Sequence, residues 1–562
     1  MGGVPFELSR ADPDAARELG RACGVGAATA QVLLNRGFSD EGSAREFLTP
    51  RLAGLTSPDG MADRQIAADR LASAVRAGER IAIFGDYDVD GTTSAAILAD
   101  VLEALGGQVS ALVASRFDGG YGFGDRALAR CLETGAGLIV TCDCGSSDHE
   151  RIAEARRRGV DVVVVDHHLV PAEPLPALAF LNPHRPDCGF PYKGLASAGL
   201  ALSVGAAVRA AMGSSLDVRP WLDLVALGTI ADVAPLDGDN RRLVRAGLRL
   251  LSDPRRPGVV ALRETASIAP GPLTSVDVSF RLAPRLNAAG RLGDPAITLA
   301  LLRSHSVDEA RGLASRIEQL NHERKQIERE VTSLAVGQVG DVYGDAPVCG
   351  LVVAGEGWHR GVVGIAAARL VDRFGLPVIA IATDGGVGHG SCRAPDGFPL
   401  YDAVRLCASE LETFGGHQAA AGLTVRAGRI DALRASFADA CRAVGGGEPR
   451  GRPPLADVCL DGSVFHVPRA RDVLCLEPLG EANAEPLFVL PQARVERAST
   501  VGTDDAHLKL CLRVGRQTLW AFGYDLGPRL PALPETVDAI GHVRLDTWRG
   551  NDTVELRLLD VG

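Results

Sequence analysis

Acidic and imidazole side chains recur in this chain at the ends of apolar runs. The first group, Asp86, Asp88 and Asp90 in DYDVDG, directly follows IAIF (81–84). Asp143 follows GLIVTC (137–142), the triplet Asp166-His167-His168 follows VDVVVV (160–165), and Asp232 sits in LGTIADVAPL. Closely placed aspartates repel one another, and bound cations would offset that repulsion. Hard oxygen ligands with one or two imidazoles suit manganese or magnesium rather than thiolate-seeking zinc. Two such ions about 3.5–4 Å apart lower the pKa of a bridging water and hold both oxygens of an in-line phosphoryl displacement. The carboxylate between them must reach both, and Asp143, on a central strand, is the natural candidate.

Two other chemistries share parts of this pattern. DYDVDG opens like a calcium-binding EF-hand loop, but that loop needs a glutamate at its twelfth position and a helix before it. Here the twelfth position is Ile97 and a strand precedes. The run Asp88-Val89-Asp90-Gly91-Thr92 also matches the nucleophile motif of haloacid dehalogenase-type phosphatases. That chemistry uses a lysine and a late acidic pair around one magnesium, without histidines, so the histidines at 167 and 168 argue against it. Neither a serine–histidine nor a cysteine–histidine nucleophile motif is evident. Cys142 and Cys144 flank Asp143 and read as buried strand packing.

The elements that must place these residues follow from periodicity. Continuous apolar runs at 81–84, 109–113, 137–142 and 160–165 alternate with helical patterns such as TTSAAILADVLEAL. Strands buried on both faces read this way, so the pattern predicts a doubly wound parallel sheet. In such sheets ligands gather beyond the carboxyl ends of the strands, where every candidate acid lies. At 562 residues the chain is too long for one core. Residues 1–75 read as an N-terminal segment of short helices, 76–252 as the parallel-sheet domain and 253–340 as a connector with a long charged helix (314–335). Residues 341–445 read as a second, smaller α/β lobe, GGGEPRGRPP (445–454) as a linker, and 455–562 as a small antiparallel barrel.

Composition is that of a globular protein, 46% apolar and 23% charged, with twelve scattered cysteines and no CxxC pair. No apolar run reaches the roughly 20 residues that cross a bilayer, and a cytoplasmic location is the expectation. The net charge of −11 argues against general nucleic-acid binding, though a local groove can still be basic and bound cations would account for some surplus carboxylates.

DYDVDG, TCDCG, VDHH and GTIADVAPL, in this order and spacing, resemble the DHH phosphoesterases, and the chain resembles their RecJ branch of single-strand-specific DNA exonucleases. SRFDGGYGFG (115–124), PRLNAAGRLGDP (284–295), GSCRAPDGFPL (390–400) and FGGHQAAAGL (414–423) support that branch. The last two resemble the DHH-associated domain, and the terminal barrel resembles the family's OB-fold domain. The resemblance implies Asp88, Asp90, Asp143, His167 and Asp232 as ligands of two divalent ions, manganese or magnesium, with Asp86 assisting. It implies that Asp166 orients His167 through its second nitrogen, and that His168 faces the scissile phosphate. Related pyrophosphatases carry a histidine where this chain has Phe84, so either the first ion would be held more weakly or Asp86 would substitute there. Phosphate-binding positions fall on Arg116, Arg285 or Arg291, and Ser391 with Arg393, while His417 would line the cleft.

The expected activity is 5′-to-3′ degradation of single-stranded DNA to mononucleotides in recombination and repair. A phosphodiesterase or phosphatase for short oligonucleotides or dinucleotides is the alternative. A metal-free DNA-binding scaffold is disfavoured, because every acid and both histidines are retained. A single-strand-binding protein and a repair helicase are the implied protein partners. The barrel aromatics Phe488, Trp520, Phe522, Tyr524 and Trp548 are either a stacking platform or core.

Overall fold

In the computed structural model the described residues are 6–116, 122–344, 347, 349–416, 420–445, 454–546 and 553–562. His417, Trp548 and most of the 445–454 linker lie outside them. The chain divides into two compact units: Met1–Pro284, Thr298–Ala314 and Pro453–Gly562 form the first, Arg285–Ile297 and Ser315–Arg452 the second.

The first unit opens with three short helices, α1 (Pro13–Cys23), α2 (Ala27–Asn35) and α3 (Glu41–Leu48). Asp12 and Asp40 cap the first and third by accepting from Ala15 N and Ser43 N. These helices do not build a core of their own. Ala16, Leu19, Leu33 and Leu48 share one buried cluster with Leu490, Leu510 and Leu556 of the terminal barrel. The Arg241 guanidinium lies 3.6 Å over the Phe47 ring and donates to the Glu477 carbonyl, tying the same regions together.

The site-bearing sheet has five parallel strands: β1 (Arg80–Gly85), β2 (Gln108–Val113), β3 (Leu138–Cys142), β4 (Asp161–Val165) and β5 (Ala179–Leu181). Their order is β2-β1-β3-β4-β5, as a doubly wound sheet requires, with the short edge strand β5 absent from the sequence expectation. Helix α4 (Val89–Ala104) follows β1 and is buried along most of its length, including Ile97. It packs on α5 (Ser197–Ala211) and α6 (Leu222–Ala231).

A 37-residue helix, α7 (Val307–Tyr343), extends the predicted long helix (314–335) at both ends. The second unit carries a mixed sheet of β6 (Leu351–Glu356), β7 (Val378–Asp384), β8 (Val387–Arg393), β9 (Thr413–Gly416) and β10 (Ala420–Arg426), with helix α8 (Val363–Phe374) between β6 and β7. Only β6 and β7 are parallel to each other.

The barrel is formed by β11 (Leu487–Val501), β12 (His507–Val514), β13 (Gln517–Gly523), β14 (Thr536–Leu545) and β15 (Val554–Val561). The 15-residue β11 pairs with both β12 and β14 and closes the ring. Register shifts along β11 bend it far enough to do so. The barrel is not wholly antiparallel: β13 and β15 run parallel.

Candidate metal centre

Each acid sits one residue past its strand and continues the ladder by one bond. Asp86 N donates to Cys142 O (3.1 Å), Asp143 N to Val165 O (2.9 Å) and Asp166 N to Leu181 O (3.0 Å). Three carboxylates from three strands are thereby set in a row across the carboxyl edge. The turn after β1 needs glycine at both ends, since a Cβ on Gly91 would lie 2.5 Å from Asp86 N and one on Gly85 would lie 2.3 Å from Gly91 O. Asp88 caps α4 through Oδ1, accepting from Gly91 N at 2.9 Å. Asp90, in the first turn of α4, accepts from Ser197 N (2.8 Å) and Ala198 N (3.0 Å) at the start of α5. Asp232 terminates α6.

Three overlapping groups of ligand atoms result, each lying within 4.8 Å of one another: Asp86, Asp88 and Asp143; Asp90, His167 and Asp232; and Asp143, His167 and His168. Asp143 belongs to two of them. His167 Nε2 lies 3.2 Å from Asp143 Oδ1 and 3.7 Å from Asp232 Oδ2. Asp143 also holds a positive φ of 62°, which aspartate tolerates better than most residues and which turns its carboxylate into the cluster. Asp86, Asp90 and Asp143 are almost fully buried, and among the described residues Asp86 Oδ1 has no hydrogen-bond partner. Hard, anionic donors around a buried, unsatisfied carboxylate oxygen fit divalent cations of the magnesium and manganese type.

One sequence expectation is corrected. Asp166 does not hold the His167 ring. Its Oδ1 contacts His168 Nδ1 at 2.7 Å, and it accepts the backbone N–H groups of His167 (2.8 Å), His168 (3.2 Å) and Ser146 (3.1 Å). The side chain that follows the buried acid by two residues curls back onto it, and its neighbour is released toward Asp143 and Asp232. Phe84 is core, packed edge-on against Phe123 at 5.5 Å.

Electrostatics agrees with cation binding. Burial, then repulsion from Asp88, pushes Asp86 well up and Asp90 to about 7. Burial and the surrounding aspartates raise Asp143 strongly and Asp232 to about 9. Burial also works against ionised Asp166, but the His168 hydrogen bond and charge help hold it below the usual carboxylate range. A carboxylate raised in the folded state contributes stability below its unfolded pKa of about 4, and that contribution is lost as pH rises through the folded value. Metal-free protein is therefore expected to melt at lower temperature at pH 8.5 than at pH 6. Manganese binds the ionised form, so its stabilising shift in Tm should be larger at pH 8.5. Equal shifts at both pH values in a thermal melt would contradict this.

The candidate phosphate-binding residues divide between the units. Arg116 stands in the first unit, 4.6 Å over the Tyr87 ring and close enough to Asp86 to favour its ionised form. In the second unit Arg285 is half of an ion pair with Glu318 (2.6 Å), and Arg291 donates to the Gly361 carbonyl (3.0 Å). Ser391 and Arg393, on β8, lie over the first turn of α8. A Cβ on Gly364 would be 2.9 Å from Ser391 Oγ and 3.3 Å from Arg393 Nη2. His417 falls outside the described residues.

Two contributors carried little sequence signal. Ser197 supplies a backbone amide to Asp90 and donates its hydroxyl to Asp143 Oδ1 (3.0 Å), and Asn182 donates to the His168 carbonyl (2.8 Å). The only hint of the first was the run of small residues ASAG where a helix should start.

The barrel carries a separate aromatic and basic face. Leu508, Leu510, Leu519 and Ala521 point inward, and so does Phe488, while Lys509, Trp520, Phe522, Tyr524 and Arg557 alternate outward. Arg557 lies 3.5 Å over the Tyr524 ring, Lys509 lies 5.3 Å from the Trp520 ring, and Phe522 and Tyr524 meet edge-to-face at 4.9 Å. Lys509 and Arg557 thus put two positive charges on this aromatic face, with Glu555 in register beside Trp520.

Residues 80–229 match the DHH family, N-terminal domain, residues 345–443 the DHHA1 domain and residues 456–560 the RecJ OB domain. The chain is 33% identical over 580 residues to the single-stranded-DNA-specific exonuclease RecJ of Bacillus subtilis, covering 99% of this chain and 70% of that protein. It is 40% identical over 429 residues to RecJ of Dickeya dadantii, covering 73% of this chain and 74% of that protein. The crystal structure of RecJ in complex with Mn2+ from Thermus thermophilus superposes with a TM-score of 0.82 at 30% identity, covering 99% of this chain and 79% of that one.

Proposed function

This chain belongs to the DHH family, in its RecJ branch of single-stranded-DNA-specific exonucleases, and from that premise we propose how its residues perform the reaction. The protein is a metal-dependent exonuclease that hydrolyses single-stranded DNA from the 5′ end to mononucleotides, in DNA recombination and repair. The observation that carries the reading is Asp143, whose carboxylate serves two of the three ligand clusters. Asp86 and Asp88 would hold one ion with it, and Asp90, His167 and Asp232 would hold the other, with His167 Nε2 3.2 Å from Asp143 Oδ1. When bound, the ions lower the pKa of a water and neutralise charge on the phosphate.

The chain's own side chains do the rest. The Ser197 and Ala198 amides fix Asp90, and the Ser197 hydroxyl orients Asp143. Asp166 fixes the ring of His168 through Nδ1, so that His168 can stabilise charge or deliver a proton to the leaving oxygen. Arg116, Arg291, Ser391 and Arg393 grip phosphates, the arginines through their planar forks. Arg285, already paired with Glu318, is the weaker candidate for that role. The outward aromatic face of the barrel supplies stacking for unpaired bases. Its match to the RecJ OB domain disfavours the alternative of a dinucleotide phosphodiesterase. The same premise extends to a single-strand-binding protein and a helicase as partners, in a cytoplasmic setting.

The test compares strands labelled at one end in manganese. Release of labelled mononucleotide from the first moments with a 5′ label, and only at late times with a 3′ label, is expected. Prompt release from the 3′ label, or hydrolysis of dinucleotides alone, would sink the reading.

A further inference from the structure

Nine non-glycine residues have positive φ among the described residues, and Val233 (φ 62°) is the one β-branched side chain in that set. Five of the others are aspartates, which accept this conformation through local hydrogen bonding. For valine the left-handed region is a steric outlier that costs free energy. The position is the left-handed residue that ends α6. Val233 N donates to Ile230 O (3.2 Å) and Ala234 N to Thr229 O (3.2 Å), a helix stop that normally takes glycine. Packing inside the protein does not repay the strain, because Val233 is 65% exposed.

Its place in the chain is informative. Val233 directly follows the candidate ligand Asp232, and Leu169, 68% exposed, directly follows His168. The two segments meet at the metal centre, where His167 Nε2 lies 3.7 Å from Asp232 Oδ2. Two large, exposed apolar residues therefore directly follow residues of the metal centre in the chain, one of them at a conformational cost.

We propose that Val233 and Leu169 form an apolar lip at the metal centre that contacts the base and deoxyribose of the nucleotide next to the bond being cut. This deepens the exonuclease reading and rests on it. A nucleoside offers an apolar sugar edge and base face beside its charged phosphate, and the lip offers the matching surface beside the ion sites. Strain held at a substrate-contacting residue is repaid when the strand binds.

The test replaces Val233 by glycine, which relieves the strain and removes the side chain together. Val233→Gly is expected to melt about 1–3 °C higher than the parent without DNA. It should bind manganese as tightly as the parent, yet show a KM for oligothymidylate about 5–20-fold higher. Val233→Asn, which tolerates the same backbone, should raise KM similarly, and Leu169→Ala should raise KM without the gain in Tm. A Val233→Gly protein that melts higher and keeps the parental KM overturns the proposal. So does a KM change accompanied by weaker manganese binding, which would assign the side chain to holding Asp232. Failure of the parent itself to degrade oligothymidylate would instead sink the underlying exonuclease reading, and is seen before any variant is made.

Discussion

Asp143→Ala is expected to lower kcat on single-stranded DNA by about 10⁴-fold or more, with strand binding largely retained. The carboxylate is almost fully buried, takes part in two ligand clusters and accepts from Ser197 Oγ at 3.0 Å. Removing it weakens both ion sites at once, whereas losing Asp86 or Asp232 strips one donor from a single group. Asp143→Asn keeps the shape and an acceptor for Ser197 but removes the charge, so it should lose nearly as much. Binding to the outer face of the barrel does not depend on this residue, and fluorescence anisotropy of a labelled strand should change little. Turnover within tenfold of the parent would remove Asp143 from the mechanism.

The second large effect is expected at Asp166. Asp166→Asn should lower kcat about 10²–10³-fold, because the ring of His168 loses the charged partner that holds Nδ1 at 2.7 Å. With its oxygen at the Oδ1 position the asparagine still accepts from the His167 and His168 N–H groups and gives up only the Ser146 N–H bond at Oδ2, so most of the loop's anchoring should be kept. A positioning residue acts through its partner, and this separates it from a structural one. The double variant Asp166→Asn/His168→Ala should be no slower than His168→Ala alone. Losses that multiply in the double variant would show that Asp166 acts through something other than His168.

The fold and the gathering of the acids along one sheet edge were legible for the same reason. Continuous apolar runs ending in Asp86, Asp143 and Asp166 announce parallel strands whose tips share one edge, and the ladder bonds across those tips bear this out. Local patterns hold less about partners. Spacing cannot decide which of two adjacent imidazoles turns back to Asp166, since that depends on how the loop after β4 bends under its three backbone donors. The amides of Ser197 and Ala198 lie more than 100 residues from Asp90 and carry no side-chain signature. The shared core of α1–α3 and the barrel is equally hidden, because each half shows only an ordinary amphipathic face. The parallel pairing of β13 with β15 is set by how the ring closes, which strand alternation alone does not encode.

The central claim is that these carboxylates and imidazoles exist to hold paired divalent ions. Diffraction from manganese-soaked crystals, recorded at the manganese absorption edge, tests it most directly. The account predicts two anomalous peaks per chain, one among Asp86, Asp88 and Asp143 and one among Asp90, His167 and Asp232, with Asp143 reaching both. Saturating manganese that leaves these positions without a peak would contradict it.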